Sequence, residues 1–397
     1  MSGDDLSAAL GACLTDLVDS GTLPGASVLV LKDGAEVCYA EAGWQDLDSR
    51  RPIGRDTVFR IYSMTKPVTA AVVMSLVEEG RLGLQDRIGD RVPELASLTV
   101  HGADPAIPVN PVTVEQLLTH TAGFSYPFQP GTPVAALYAQ AGLSGDLWRF
   151  DPAFAGGGAL ARRLAEIPLA HPPGTRFHYG MGLDVAALVA QRAAGLGFDE
   201  LVSRRITEPL GMVDTGFWLA PEKGERLASL YAGPPGVDLV RTDDGRTSPL
   251  LKPLPGFSGG GGLLSTIDDY AAFVRMLLRR GEGDDGRRIL LETSVREMMT
   301  NRLSADQLIE LPQLAAFGLG GRGEGLGIGY GGAVTLDPAA QGGLGSVGEY
   351  AWGGAASTTF WLDPARDLAV IFMTQVIPPG RAMIRDRLRA IVYASMD

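Results

Sequence analysis

Apolar positions at the start of the chain recur every three or four residues: Leu6, Ala9, Leu10, Cys13, Leu14 and Leu17. That spacing predicts an amphipathic helix over 4–20, ended by Pro24-Gly25. The period then shortens to two, and residues 26–31 and 36–42 read as strands joined at Lys32-Asp33-Gly34, a hairpin signal. A short strand at 58–61 leads to Ser63. From Val68 to Val77 the chain is almost wholly apolar, which predicts a buried helix stopped by Gly80. Beyond about residue 86, helical patterns alternate with Pro/Gly-rich connections: 114–119 behind Thr113, 159–167, 183–194 and 198–206. Past residue 255 come four consecutive glycines, Gly259 to Gly262, and a helix at 267–279 with Ser265 as its cap. A Gly-rich stretch at 318–334 holds one strand near Ile328 and Tyr330. Strands at 349–352, 357–362 and 368–374 and a helix at 383–394 close the chain. Strands at both ends around a helical middle predict an α/β domain built from 1–85 plus 256–397, with a mostly helical domain at 86–255 inserted in it.

Composition narrows the partners. The net charge of −12 argues against a nucleic-acid or anionic-membrane partner. No apolar run reaches the ~18 residues of a membrane span, and the acidic start Met-Ser-Gly-Asp-Asp is unlike a secretory signal, so a cytoplasmic protein is expected. Cys13 and Cys38 form no ligand spacing or disulfide framework, and the four histidines are scattered. No metal or cofactor is expected.

The candidate chemistry lies at the head of the buried helix. Ser63 and Lys66 are three apart and therefore on one helical face. A serine hydroxyl needs a base to become a nucleophile, and a lysine can serve when burial disfavours its ammonium form. The helix N-terminus supplies N–H groups and positive potential for an oxyanion. Lys66 is the one lysine of four with a serine three residues before it. The competing reading is a serine cap followed by a solvated lysine.

Four segments carry a family resemblance: Phe59-Arg-Ile-Tyr-Ser-Met-Thr-Lys-Pro67, Leu117-Leu-Thr-His-Thr-Ala-Gly-Phe124, Pro173-Gly-Thr-Arg-Phe-His-Tyr179 and Trp352-Gly-Gly354. In this order they resemble the serine β-lactamase superfamily, and within it the family VIII carboxylesterases, which share the class C β-lactamase fold. The resemblance implies a β-lactamase/penicillin-binding-protein-like fold, an antiparallel sheet flanked by helices, with the active site in the cleft beside the helical insertion. It also implies Ser63 as nucleophile, Lys66 as its partner and Tyr179 as the second basic group. The backbone N–H groups of Ser63 and Ala355 would form the oxyanion hole. By the same resemblance Trp352, Gly353 and Gly354 would form the substrate-binding strand; Tyr126, shortly after the second segment, is read from its place in the chain as a candidate to line the acyl pocket. Two departures bear on substrate. Met181 replaces the Asn of the tyrosine motif, and Trp352 stands where penicillin-processing members carry a cation that binds a substrate carboxylate. Small neutral esters are therefore favoured over β-lactams.

Three further patterns are weighed and set aside. Gly256-Phe257-Ser258-Gly259-Gly260 fits the hydrolase elbow Gly-x-Ser-x-Gly without its flanking strand and helix. Gly343-x-Gly345-x-x-Gly348 matches a dinucleotide fingerprint without a βαβ unit. His120 could suggest a Ser–His pair but is read as a hydrogen-bonded turn residue, and Asp184 as structural. The expected activity is a serine esterase acting through an acyl-enzyme. Its rivals are an acyltransferase of the same superfamily, a weak β-lactamase or D-amino-acid peptidase, and a non-enzymatic sensor acylated once.

Overall fold

The computed structural model describes residues 3–104, 109–129, 131–143, 147–308, 324–380 and 383–396. Its frame is an eight-stranded antiparallel sheet. In chain order the strands are β1 (Gly25–Lys32), β2 (Ala35–Asp46), β3 (Arg51–Pro52), β4 (Phe59–Arg60), β5 (Leu230–Ala232), β6 (Val240–Asp243), β7 (Leu264–Ser265), β8 (Leu326–Ile328), β9 (Ala333–Thr335), β10 (Tyr350–Gly353), β11 (Thr359–Asp363), β12 (Leu368–Thr374) and β13 (Val376–Ile377). The large sheet runs β3-β2-β1-β12-β11-β10-β9-β8, so its centre joins the two ends of the chain. Ala26 faces Thr374 there, and Lys32 faces Leu368.

Side chains on β1 and β12 alternate between two apolar layers, because successive strand residues point to opposite faces. Ala26, Val28, Val30, Val370 and Phe372 face one layer, under α1 (Gly3–Asp19). Leu29, Leu31, Ile371 and Met373 face the other, which holds α2 (Thr65–Glu78). Every residue of α2 from Thr65 to Leu76 is buried, as its unbroken apolar character predicts. The remaining helices are α3 (Val114–Leu118), α4 (Ala135–Gln140), α5 (Gly158–Ala165), α6 (Gly182–Ala194), α7 (Phe198–Val202), α8 (Ile267–Leu278), α9 (Glu292–Met298), α10 (Ala305–Leu308) and α11 (Ile384–Met396). Helix α6 packs on α2, and α11 packs beside α1. Among the described residues no helix is long and apolar enough to cross a membrane.

The structure departs from the sequence expectations in three places. The mostly helical middle also carries two short strands that the sequence does not predict: β5 and β6 form a three-stranded sheet with β13, Val376 facing Tyr231 in a parallel pair. Strands of two to four residues leave no readable period, and this pairing spans a large part of the sequence. Helix α8 is capped by Thr266, whose side chain accepts from the Asp269 N–H at 3.1 Å. Ser265, the expected cap, lies in β7 opposite Phe59 and bonds Thr215 at 2.7 Å. Of the Gly-rich stretch, 318–323 lie outside the described residues, and the rest carries two strands, β8 and β9, rather than one.

Candidate active site

Strand β4 is pinned to β7, and the chain leaves it through a strained residue: Tyr62 has φ of 43°. A bulky side chain in the left-handed region is costly and persists where the surroundings hold it. A single 3-10 turn, Tyr62–Met64, then runs into α2. Neither this turn nor α2 has a side-chain cap, so Ser63 does not play the part of an N-cap serine. Its Oγ lies 2.9 Å from Lys66 Nζ and 2.8 Å from the Tyr179 hydroxyl. Ser63 is half-buried, whereas Lys66 is fully buried. Lys66 Nζ also donates to the Gly260 carbonyl at 2.6 Å and lies 4.8 Å from the Tyr179 ring and 5.5 Å from that of Tyr126. Among the described residues no carboxylate stands within ion-pair distance of Lys66.

Tyr179 arrives on the short segment before α6. The His178 N–H donates to the His120 carbonyl at 2.7 Å, and the Gly180 N–H to His120 Nδ1 at 3.4 Å. His120, at φ of 56°, thus brackets Tyr179 from both sides. Gly180 admits no side chain, since a Cβ there would lie 2.0 Å from the Phe124 carbonyl oxygen. Around the Tyr179 ring stand His120 at 4.8 Å, Tyr126 at 5.3 Å and Trp352 at 5.8 Å. Burial pushes the His120 imidazole well below its usual pKa, with Lys66 and His178 adding to the shift, so it stays neutral. Among the described residues its buried Nε2 meets no hydrogen-bond partner, so His120 is half-satisfied and makes no hydrogen bond to Ser63.

The glycine run is the part of the site that the motifs do not reveal. Asp184, in the first turn of α6 and 2% exposed, accepts from Ser258 Oγ at 2.5 Å, the Gly260 N–H at 3.0 Å and the Tyr126 hydroxyl at 3.3 Å. It therefore clamps the residue whose carbonyl holds Lys66. A Cβ on Gly260 would lie 2.4 Å from Asp184 Oδ2, and one on Gly259 2.5 Å from the Leu183 carbonyl oxygen. Four residues without side chains in a row are the signal that backbone must pass close to something here. Ser258, buried in this turn, is a donor to Asp184 with neither strand before it nor helix after it. Gly343, Gly345 and Gly348 lie with positive φ in the loop between β9 and β10, where no helix opens.

Strand β10 brings Trp352 and Gly353 to the same place. Trp352 is 2% exposed, and its ring stacks on His120 at 6.4 Å. Gly354 closes a turn, donating to the Thr358 carbonyl at 2.8 Å, and its Cα abuts the nucleophile's strand, for a Cβ would lie 2.5 Å from the Ile61 carbonyl oxygen. Ala355, next in that turn, is exposed. Hydrogen bonds gather Ser63, Lys66 and Tyr179 at one hydroxyl, the Tyr126 and Trp352 rings stand against Tyr179, Gly354 meets the backbone just before the nucleophile, Gly353 ends β10 and Ala355 lies in the turn after it. Such a constellation, an alcohol between an amine and a phenol with backbone turns alongside, is suited to forming and breaking an ester at the serine oxygen.

Known proteins share this arrangement of chain. The family model described as Beta-lactamase matches residues 10–394. Protein Rv1367c of Mycobacterium tuberculosis is 37% identical over 379 residues, covering 92% of this chain and 89% of its own. Esterase EstB of Burkholderia gladioli is 32% identical over 409 residues, covering 98% and 95%. Among solved structures, EstCE1, described as a hydrolase with promiscuous acyltransferase activity, superposes with a TM-score of 0.82 at 23% identity, over 98% of this chain and 99% of its own. At that identity the likeness concerns the fold.

Proposed function

The chain belongs to the beta-lactamase family and is a serine hydrolase of its family VIII carboxylesterase branch, and from that premise we propose that it hydrolyses small neutral carboxylic esters through an acyl-enzyme on Ser63. The observation that carries this reading is the Ser63 Oγ held between Lys66 Nζ and the Tyr179 hydroxyl at 2.9 and 2.8 Å. In the first half-reaction the Lys66–Tyr179 pair takes the Ser63 proton as Oγ bonds to the ester carbonyl carbon. The oxyanion rests on the N–H groups of Ser63 and Ala355. The carbon–alkoxy bond breaks, and the alcohol departs with that proton. In the second half, water gives a proton to the same pair, attacks the acyl carbon and releases the acid as the proton returns to Ser63 Oγ.

Trp352 supports neutral substrates, since it places an indole where penicillin-processing relatives present a cation. The second reading, acyl transfer to an alcohol, needs only an alcohol in place of water in the second half. EstCE1, described as having both activities, supports keeping it. A panel of p-nitrophenyl esters of rising chain length beside nitrocefin tests the proposal. Esters should turn over steadily, nitrocefin weakly or not at all, and Ser63→Ala should lose at least about a thousandfold in kcat. Wild-type turnover in Ser63→Ala, or a phosphonate label mapped to Ser258, would refute it.

A further inference from the structure

The end of the large sheet remote from Ser63 carries a hollow of its own. Strand β11 begins at Thr359, paired with Gly353 beside the site, and ends at Asp363, roughly 13 Å further along. The turn that follows, with Pro364 and Asp367, lines a cavity of about 730 Å³. Asp33 and Gly34 of the β1–β2 turn line it too, and the end of α8 and one face of α9 complete it. Its volume lies within the range of small-molecule sites. Buried Leu277 and Val295 and half-buried Leu278 and Met299 give it an apolar floor.

The charges around this floor divide into two sets. Arg279 pairs with Asp284 at 2.6 Å, Arg280 pairs with Glu292 at 2.9 Å, and Asp33 pairs with Lys32. Arg296 and Asp367 are both exposed, and among the described residues their side chains make no hydrogen bond or ion pair, with each other or with anything else. Isolated charges on an open surface are ordinary. One of each sign over a shared apolar floor, too far apart to pair, is a template for a bipolar ligand with an apolar body.

We propose that this cavity is a second binding site, separate from the catalytic one, and that it takes a short peptide with apolar side chains and free termini. The terminal carboxylate meets Arg296, the terminal ammonium meets Asp367, and the side chains cover Leu277, Leu278, Val295 and Met299. An extended chain advances ~3.5 Å per residue, so two or three residues set the terminal charges roughly 7–10 Å apart, a separation that one amino acid does not reach. The proposal stands apart from the esterase reading.

The test is calorimetric titration of the whole protein with Leu-Gly-Leu, its N-acetyl form and its C-terminal amide. Each block should weaken binding about fivefold, the scale of one exposed ion pair. Arg296→Gln should weaken the free peptide about fivefold and leave the amide as it was, because the amide has already lost that contact. Asp367→Asn should weaken the free peptide equally and leave the acetyl form as it was. Asn is at home at the left-handed φ of 45° found at 367, and Arg296 is an exposed helix residue, so neither change threatens folding. No saturable binding at about 10 mM peptide overturns the assignment. So do free leucine binding as tightly as Leu-Gly-Leu, and variants that weaken all three peptides alike or none of them. Ester turnover does not enter the readout, so either result leaves the esterase reading to its own test.

Discussion

Lys66 is buried with neutral oxygen atoms as its hydrogen-bond partners, Ser63 Oγ and the Gly260 carbonyl. A buried amine without a paired charge depends heavily on such acceptors, because nothing else replaces its lost water. Asp184 is therefore expected to act as a positioning residue through Gly260. Asp184→Ala releases Gly260, and kcat should fall about tenfold to a hundredfold, the cost of displacing a reacting group by roughly an ångström. Asp184→Asn keeps an acceptor for Ser258 and Gly260 and should retain most of the rate, with KM nearly unchanged in both; steady-state kinetics beside thermal melts checks this. Ser63 and Lys66 were legible in the sequence because their relation is local, a matter of three residues on one helix face. The Gly260 contact spans 194 residues and involves a main-chain atom, so no side-chain motif announces it.

The segment that presents Tyr179 carries its own pH dependence. Burial, followed by the nearby His171 and Arg176 charges, pushes the His178 imidazole down to about 4, and its Nε2 lies 3.0 Å from the buried Ser125 hydroxyl. In the unfolded chain a histidine titrates near ~6.5, so between that value and about 4 the unfolded state binds the proton more readily. The stabilisation is full above ~6.5 and is lost as pH falls toward 4, by up to about 3 kcal/mol. His120 is shifted in the same direction and adds to the slope. Thermal melts from pH 7 to 4 should show this loss, and His178→Gln should flatten part of it. Long elements such as α1, α2, β1 and β12 were readable because each repeats its period several times. The β5–β13 pair was not, since two residues of Val376–Ile377 have no period and their partner is far away in sequence. The cap of α8 failed by one place for a related reason. Ser265 and Thr266 are both good caps, and the pairing of Ser265 with Phe59 in the β4–β7 ladder decides between them.

Across the whole molecule, one buried cation ties the nucleophile's strand to its surroundings. Arg60, 4% exposed, donates to the Ala228 carbonyl at 2.6 Å and Ser248 Oγ at 3.2 Å, pairs with Asp243 and reaches Gln375 Oε1 at 3.3 Å. Arg60→Ala takes the cation from part-buried Asp243, which keeps the Ser248 hydroxyl, and a donor from three neutral acceptors, and should cost about 2 kcal/mol or more in urea unfolding. The central seam between β1 and β12 has a consequence of a different kind. A ribosome delivers residue 26 long before residue 368, so throughout synthesis the β1–β2 hairpin waits with an open backbone edge on the side that β12 will later fill. Yield in a cell is then set by how well that waiting interval is shielded from intermolecular pairing. A circular permutant that begins in the loop near Gly342 and runs through 397 into 1–341 shortens the wait while keeping the strand pairings of the sheet.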